Sequence, residues 1–423
     1  MHLRSSSLAS STSDENRIAI VPGTCCLDNE LAAARVPVSP SSPVGGHTCG
    51  SGVLDASVVT SAALQSDDTT IEATQSMSTK AARANELATR QAPAAGQMRM
   101  ASLDNTWALV LAAGQGSRLS ALTTTLSGAH VPKQFCSLLA GPSLVQDALS
   151  RARSVASDEQ VCAIVAAQHH RWWECLSATN LIVQPENRGT ANGILLSLLH
   201  IAERDPGAHV VLLPSDHHVQ DEPVLTRSLR SAVRHVRLQP HEILLLGIEP
   251  AEADPELGYV VPGDQARGST FEVARFIEKP PVARARELIE NGALWNAFIV
   301  AASVDTLLRL LESRFPEVVA AMRDAVRVDL RSPRDGKATA ALYEHMPILD
   351  FSRDVLCNRN VENLRVLPVP QCGWSDLGTP LRVTQTLKRL GGGRRVAEAS
   401  VEMGAQISLA ARIEGMQCAG LQL

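Results

Sequence analysis

Chemistry is concentrated at a few short segments. The apolar run Trp107 to Ala112 ends in Ala113-Gly114-Gln115-Gly116-Ser117-Arg118-Leu119, and Val131-Pro132-Lys133-Gln134-Phe135 follows a little later. Glycines in a turn after a strand let main-chain N–H groups approach an anion closely. Such a turn is also an ordinary connection, but Arg118 and Lys133 add two cations suited to a triphosphate. The loop is no dinucleotide fingerprint, because Leu119 stands where the third glycine would be, and it lacks the Gly-Lys-Ser/Thr of a Walker A loop.

Further on, Leu212-Leu213-Pro214-Ser215-Asp216-His217-His218 sets a carboxylate directly after a second apolar run. Asp216 suits Mg²⁺, which takes carboxylate, phosphate and water oxygens; His217 and His218 are softer donors, better read as orienting the aspartate. The polar run Gln184-Pro185-Glu186-Asn187-Arg188-Gly189-Thr190-Ala191 ends another short strand. Its Thr190 is a natural helix N-cap. Trp374-Ser375-Asp376-Leu377-Gly378 brings one more carboxylate, although Ser and Asp would also serve as a surface cap.

The elements that must hold these segments alternate. Val161 to Ala167, Leu181 to Val183, His209 to Leu213 and Ile243 to Ile248 are short apolar runs. Between them lie the helical patterns Ser143 to Val155, Thr190 to Glu203 and Val224 to Val236. This alternation predicts an α/β fold with a doubly wound, mostly parallel sheet and sites at the C-terminal strand ends. After Pro250, Tyr259 to Val261 and Phe271 to Ile277 predict a smaller β-containing part that can serve as a substrate lid. Helical patterns occupy Ala283 to Glu290, Val304 to Ser313 and Pro316 to Val326, and Val361 to Val366 returns to strand character.

Domain boundaries follow from texture. Residues 1–100 are rich in Ser, Ala and Thr and show no useful periodicity, so they read as a disordered extension or as translated upstream sequence, with Met98 and Met100 just ahead of the first strand. The folded domain is expected over 105–385, and 386–423 carries no assignable pattern past the glycines at Gly391. A net charge of -5 argues against nucleic acid as a partner. Nine cysteines without metal-type spacing read as reduced thiols, no run is apolar enough to span a bilayer, and the serine-rich start is no signal peptide, which together predict a cytoplasmic protein.

Taken in order, these motifs resemble the sugar-nucleotide pyrophosphorylases, and the Lys133-Gln134-Phe135 run is most similar to the mannose-1-phosphate guanylyltransferases. The resemblance covers about Trp107 to Thr379. It implies a Rossmann-like nucleotidyltransferase fold that joins a nucleoside triphosphate to a sugar 1-phosphate and releases pyrophosphate, with GTP and mannose 1-phosphate as the leading pair. By resemblance, Arg118 and Lys133 are catalytic cations; Ala113, Gly114, Gly116, Gln184, Asn187, Gly189 and Thr190 bind the nucleotide; Asp216 and Asp376 hold Mg²⁺. Gly258, Glu278, Lys279 and Asn296, from Gly258-Tyr259, Glu278-Lys279-Pro280 and Trp295-Asn296-Ala297, are implied for the sugar phosphate. A carboxylate and an amide are good hydroxyl partners and a lysine neutralises phosphate as a point charge.

The chain departs from the family pattern at several places. Ala113-Gly114 stands for two glycines, Ser120-Ala121 for Trp-Pro, Ala191-Asn192-Gly193 for a sequence that often continues Ala-Pro, and Ala297-Phe298 for Ser-Gly. UTP, dTTP or ATP with another sugar therefore stays open, as does a non-catalytic regulatory homologue; a dinucleotide oxidoreductase lacks its glycine. A homodimer is left open. Bifunctional members carry an isomerase domain after the transferase, and the length of this chain leads to the expectation that it has no phosphomannose isomerase activity.

Overall fold

The computed structural model describes residues 21–22, 105–124, 128–138, 141–176, 179–332, 337–357 and 361–391. The chain divides into two units, Leu31–Ala101 and the remainder, and every described residue belongs to the latter. The expectations for residues 1–100 and for the end of the chain past Gly391 thus lie outside the described residues, except that Val21–Pro22 pair antiparallel with Cys136–Ser137.

Nine strands form one sheet. They are β1 (Thr106–Ala112), β2 (Val161–Ala166), β3 (Asn180–Gln184), β4 (His209–Pro214), β5 (Ile243–Ile248), β6 (Gly258–Arg267), β7 (Thr270–Glu278), β8 (Leu294–Ser303) and β9 (Leu364–Val369). Their order is β3-β2-β1-β4-β8-β5-β9-β7-β6, with β8 also meeting β6. β1, β2, β3 and β4 are mutually parallel; β1, β2 and β4 are near-continuous buried apolar runs, and β3, at the sheet edge, is half-buried. β8 runs antiparallel to β4 and β5, and β9 is parallel to β5. The parallel character predicted from the alternation therefore holds in the half built first along the chain, and the other half is mixed.

β6 and β7, expected as a separate small β element, are an antiparallel hairpin that continues the same sheet through β9. The sequence pattern carries no strand prediction for β8. Its ladder to β5 is interrupted between Asn296 and Ile299, and Phe298 takes a φ of 55°, so the residues beyond the break do not continue the alternation before it. β9 starts three residues later than the apolar pattern, after Asn363 at φ 57°.

Among the described residues, the α-helices of six residues or more are α1 (Leu144–Arg153), α2 (Thr190–Arg204), α3 (Glu222–Leu238), α4 (Val282–Glu290), α5 (Val304–Arg314), α6 (Pro316–Arg331), α7 (Ala338–Tyr343) and α8 (Pro380–Arg389). One apolar core joins α1, α3 and α8 to one sheet face through Val145, Leu149, Leu229, Val233 and Leu387. A second joins α2, α5 and α6 to the other face through Ile194, Leu198, Leu307 and Met322. α1 begins at a capping box in which Gln146 accepts from the Ser143 amide. Among the described residues no helix is long and apolar enough to cross a membrane. The C-terminal ends of β1 to β5 and β9 and the start of β8 share one edge, where β1 and β4 diverge toward their neighbours on opposite sides. That divergence is where an open α/β sheet leaves a crevice.

Candidate active site

A cleft of about 420 Å³ opens at this edge. Ala113 and Gly114 line it from the end of β1, Gln184 from β3, Asn187, Gly189 and Thr190 from the following loop, and Asp216 from the end of β4. Gln134 fixes the glycine loop: its buried amide donates to the carbonyls of Ala112 and Gly114, both at 2.9 Å. Ser215 donates to Leu111 O at 2.7 Å and ties the two strand ends together. Gly116 lies outside the cleft lining, in a left-handed turn with φ 64° that backs onto Lys133.

The loop after β3 is held from below. Gly189, not Thr190, is the N-cap of α2, with φ 89° and its amide bound to Asn187 Oδ1 at 3.0 Å. The Thr190 hydroxyl is engaged elsewhere, donating to Asp350 Oδ2 at 3.1 Å and accepting from the Phe351 amide at 2.8 Å. Asn192, fully buried, donates to Arg188 O and Pro347 O, each at 2.7 Å. The 347–351 segment is thus stapled to the loop by residues that propensity alone would have left free.

The two acidic loops meet. His218 and Ser375 exchange amide-to-carbonyl bonds of 2.9 Å, forming a short antiparallel bridge. Lys133 spans them: its buried ammonium lies 2.7 Å from Asp216 Oδ2 and donates to the Asp376 carbonyl at 2.6 Å. Burial works to raise the Asp216 carboxyl, but the Lys133 charge and the neighbouring groups outweigh it and hold it below the usual carboxylate range. The Asp376 carboxylate meets Arg382 Nη1 at 2.9 Å and faces a second cavity rather than the cleft. Burial also depresses His217 to about 4, with its ring edge-on to Trp374 at 5.2 Å, so it is neutral at ordinary pH.

Arg118 is exposed and stands 3.6 Å from Glu256, outside the lining of the cleft. Gly258, Glu278 and Asn296 come together where β6, β7 and β8 adjoin. Gly258 and Glu278 are cross-strand partners, and a Cβ at Gly258 would come within 2.7 Å of Glu278 Oε2 and 3.4 Å of Asn296 Cβ. A side chain there would displace the Glu278 carboxylate from its place. Burial pushes the Glu278 carboxyl up, opposed by Lys279, which follows in a left-handed conformation. Phe298, two residues past Asn296, connects this cluster to the cleft wall.

The nucleotidyl transferase family model matches residues 107–389. The chain belongs to that family. As a nucleotidyl transferase it is 28% identical over 284 residues to the mannose-1-phosphate guanylyltransferase RfbM of Salmonella typhimurium, covering 64% of this chain and 56% of that protein. It is 28% identical over 291 residues to the mannose-1-phosphate guanylyltransferase of Escherichia coli, covering 64% of this chain and 57% of the relative. The chain thus spans little more than half the length of the curated relatives it matches. Among solved structures, a Thermus thermophilus protein described as a mannose-1-phosphate geranyltransferase superposes with a TM-score of 0.55 at 25% identity, covering 65% of this chain and 76% of that one.

Sequence reasoning does not single out Asp350, Arg382 or the amides of Gln134 and Asn192 as parts of the site. Gln134 is visible as a polar residue between Lys133 and Phe135 in the motif. Each of the other three also has a partner more than a hundred positions away, which the sequence does not show.

Proposed function

We propose that this nucleotidyl transferase joins a nucleoside triphosphate to a sugar 1-phosphate, with GTP and mannose 1-phosphate as its pair, giving GDP-mannose and pyrophosphate. The observation that carries the reading is that the glycine loop, the Gln184–Thr190 loop and Asp216 line one cleft at the divergence of β1 and β4. The names of the relatives supply the base and the sugar.

In this reading an oxygen of the sugar phosphate attacks the α-phosphorus in line. The new P–O bond forms as the bond to the β-phosphate oxygen breaks, and pyrophosphate leaves with the electron pair. No protein nucleophile is required, since positioning and electrostatics carry such transfers. The glycine loop and Gln134 present main-chain groups to the phosphates, and Asn187, Gly189 and Thr190 shape the base side. Lys133 sets Asp216, Arg118 meets the departing pyrophosphate from the rim, and Gly258, Glu278, Lys279 and Asn296 receive the sugar phosphate.

Enzymes of this family generally use a divalent metal. The donors here suit Mg²⁺: two hard carboxylates on bridged loops, with substrate phosphates and water to complete the shell, while no cluster of three or more ligating side chains exists among the described residues. Asp216 would hold the ion in the cleft; Asp376, whose Oδ1 is engaged by Arg382 beside the second cavity, would join it through Oδ2 on turning toward the cleft, and the ion would neutralise charge on the phosphate oxygens. The buried, free thiols Cys136, Cys162, Cys357 and Cys372 accord with a cytoplasmic setting.

Pyrophosphate release with Mg²⁺ across four nucleoside triphosphates and several sugar 1-phosphates tests the proposal. Release with GTP and mannose 1-phosphate alone is expected; a different preferred pair replaces the substrates, and silence with every pair sinks the transfer reading. Asp216→Ala should abolish turnover with the fold intact.

A further inference from the structure

Behind the Asp376 loop lies a second cavity of about 390 Å³, bounded by Trp295, Trp374, Asp254, Asp376 and Arg382. Its aromatic walls belong to the apolar core opposite the one that Phe298 and Ile164 share beside the cleft. Arg382, near the start of α8, is buried, and its Nη1 stands 2.9 Å from Asp376 Oδ1 and 3.2 Å from Asp254 Oδ2. One guanidinium nitrogen is therefore shared by carboxylates from two separate loops. No guanidinium nitrogen of Arg382 meets a partner in hydrogen-bond geometry, so the link between the two loops is one of charge and distance.

Each carboxylate has a further constraint. The Gly378 amide donates to Asp376 Oδ1 at 3.0 Å, and a Cβ at Gly378 would come 2.5 Å from Asp376 Oδ2. Asp254 Oδ1 accepts from the Glu256 amide at 2.8 Å, and the Asp254 main chain is clasped by the buried Tyr259 hydroxyl, itself bound by Trp295 Nε1. Glu256, at the end of this turn, is the ion-pair partner of Arg118. A continuous path of contacts thus runs from Asp376 through Arg382 and the Asp254 turn to the glycine-loop cation.

We propose that Arg382 is a positioning residue: it ties the second acidic loop to the turn whose Glu256 pairs with Arg118, setting the two relative to each other for nucleotidyl transfer. The inference rests on the function proposed above and adds a residue that touches no substrate. Removing the guanidinium leaves two carboxylates unpaired at once, which breaks the link rather than merely weakening it.

The test compares the full chain with Arg382→Gln, Arg382→Lys and Asp254→Asn. Hydrogen exchange followed by mass spectrometry should show faster exchange in both 252–257 and 374–378 for Arg382→Gln and for Asp254→Asn, while β1 and β4 stay protected. The Asp254 variant attacks the link from its other end, so an unstable Arg382→Gln does not remove the test. Turnover should fall about tenfold or more, as for other residues that orient ligands indirectly. KM for the nucleotide should move far less, and Arg382→Lys should recover part of the loss. Exchange confined to α8, or wild-type turnover in Arg382→Gln, overturns the inference and leaves the proposed function standing. A wild-type chain that releases no pyrophosphate with any pair sinks the function itself and the catalytic meaning of the link with it.

Discussion

The Lys133 ammonium stands 2.7 Å from Asp216 Oδ2, although one residue follows the glycine loop and the other lies just past the end of β4. The lysine is buried and also binds the Asp376 main chain, so it joins the glycine-loop side of the cleft to both acidic loops. Lys133→Met should lower turnover by about 10²–10³, the range for losing one preorganised charge contact, and cost about 2 kcal/mol of stability, typical of a hydrogen bond to a charged group. Lys133→Arg should rescue little, because a planar fork does not fit a site shaped for a compact ammonium. Pyrophosphate release and thermal melting check both; near-wild-type turnover in Lys133→Met would remove it from the machinery.

That pairing also marks what the sequence could and could not convey. The parallel strands were legible because burial on both faces leaves apolar runs, and the glycine loop and Asp216 were legible because both sit at strand ends. A lysine free to meet phosphate and one already paired with an aspartate read identically in sequence; only the sheet register decides. The Arg382 ion pairs, the Asn192 staple and the Thr190–Asp350 bond are likewise tertiary facts. β8 escapes the pattern because its ladder is broken at Phe298, and Thr190 is not the cap it resembles because Gly189 takes that position with a backbone that other residues rarely adopt.

Gly189 offers a second prediction. At φ 89° an L side chain is strained, and an added Cβ would run into the Leu349 carbonyl, which accepts from the Ala191 amide in a segment also bound by Asn192 and Thr190. Gly189→Ala should cost at least about 1–3 kcal/mol, the scale for a residue forced into a sparsely populated conformation. Nucleotide affinity should weaken with it. A variant that melts like the parent and keeps its KM would show that the loop can shift freely.

Glu278 makes stability depend on pH. Burial raises its carboxyl in the folded chain, with Asp350 adding to the effect and Lys279 opposing it. The folded state therefore holds this proton more tightly than the unfolded chain, so the contribution is fully present below the unfolded value of 4.5 and is lost as pH rises through the folded value. Glu278→Gln removes the titration. Its melting temperature relative to the parent should thus rise between about pH 4 and about pH 7.5. An offset that stays constant across that range, measured by calorimetry, would contradict the assignment.

The Asn192 side chain fastens two segments of the chain together. The amide is fully buried and donates to two carbonyls from separate segments, Arg188 O and Pro347 O. Asn192→Ala leaves Pro347 O without this donor, while Arg188 O keeps the Leu349 amide, and should cost about 1–3 kcal/mol, the desolvation penalty of an unmet buried polar group. Asn192→Asp should be worse than Ala, because it points an acceptor at two oxygens now only 2.7 Å away and buries a charge besides. Since the staple holds the loop that lines the cleft, both variants should raise KM for the triphosphate more than they lower kcat. If Asn192→Asp is as stable as the parent, the amide is not fixed in the orientation described, and the loop must be held by Gly189 and Thr190 alone.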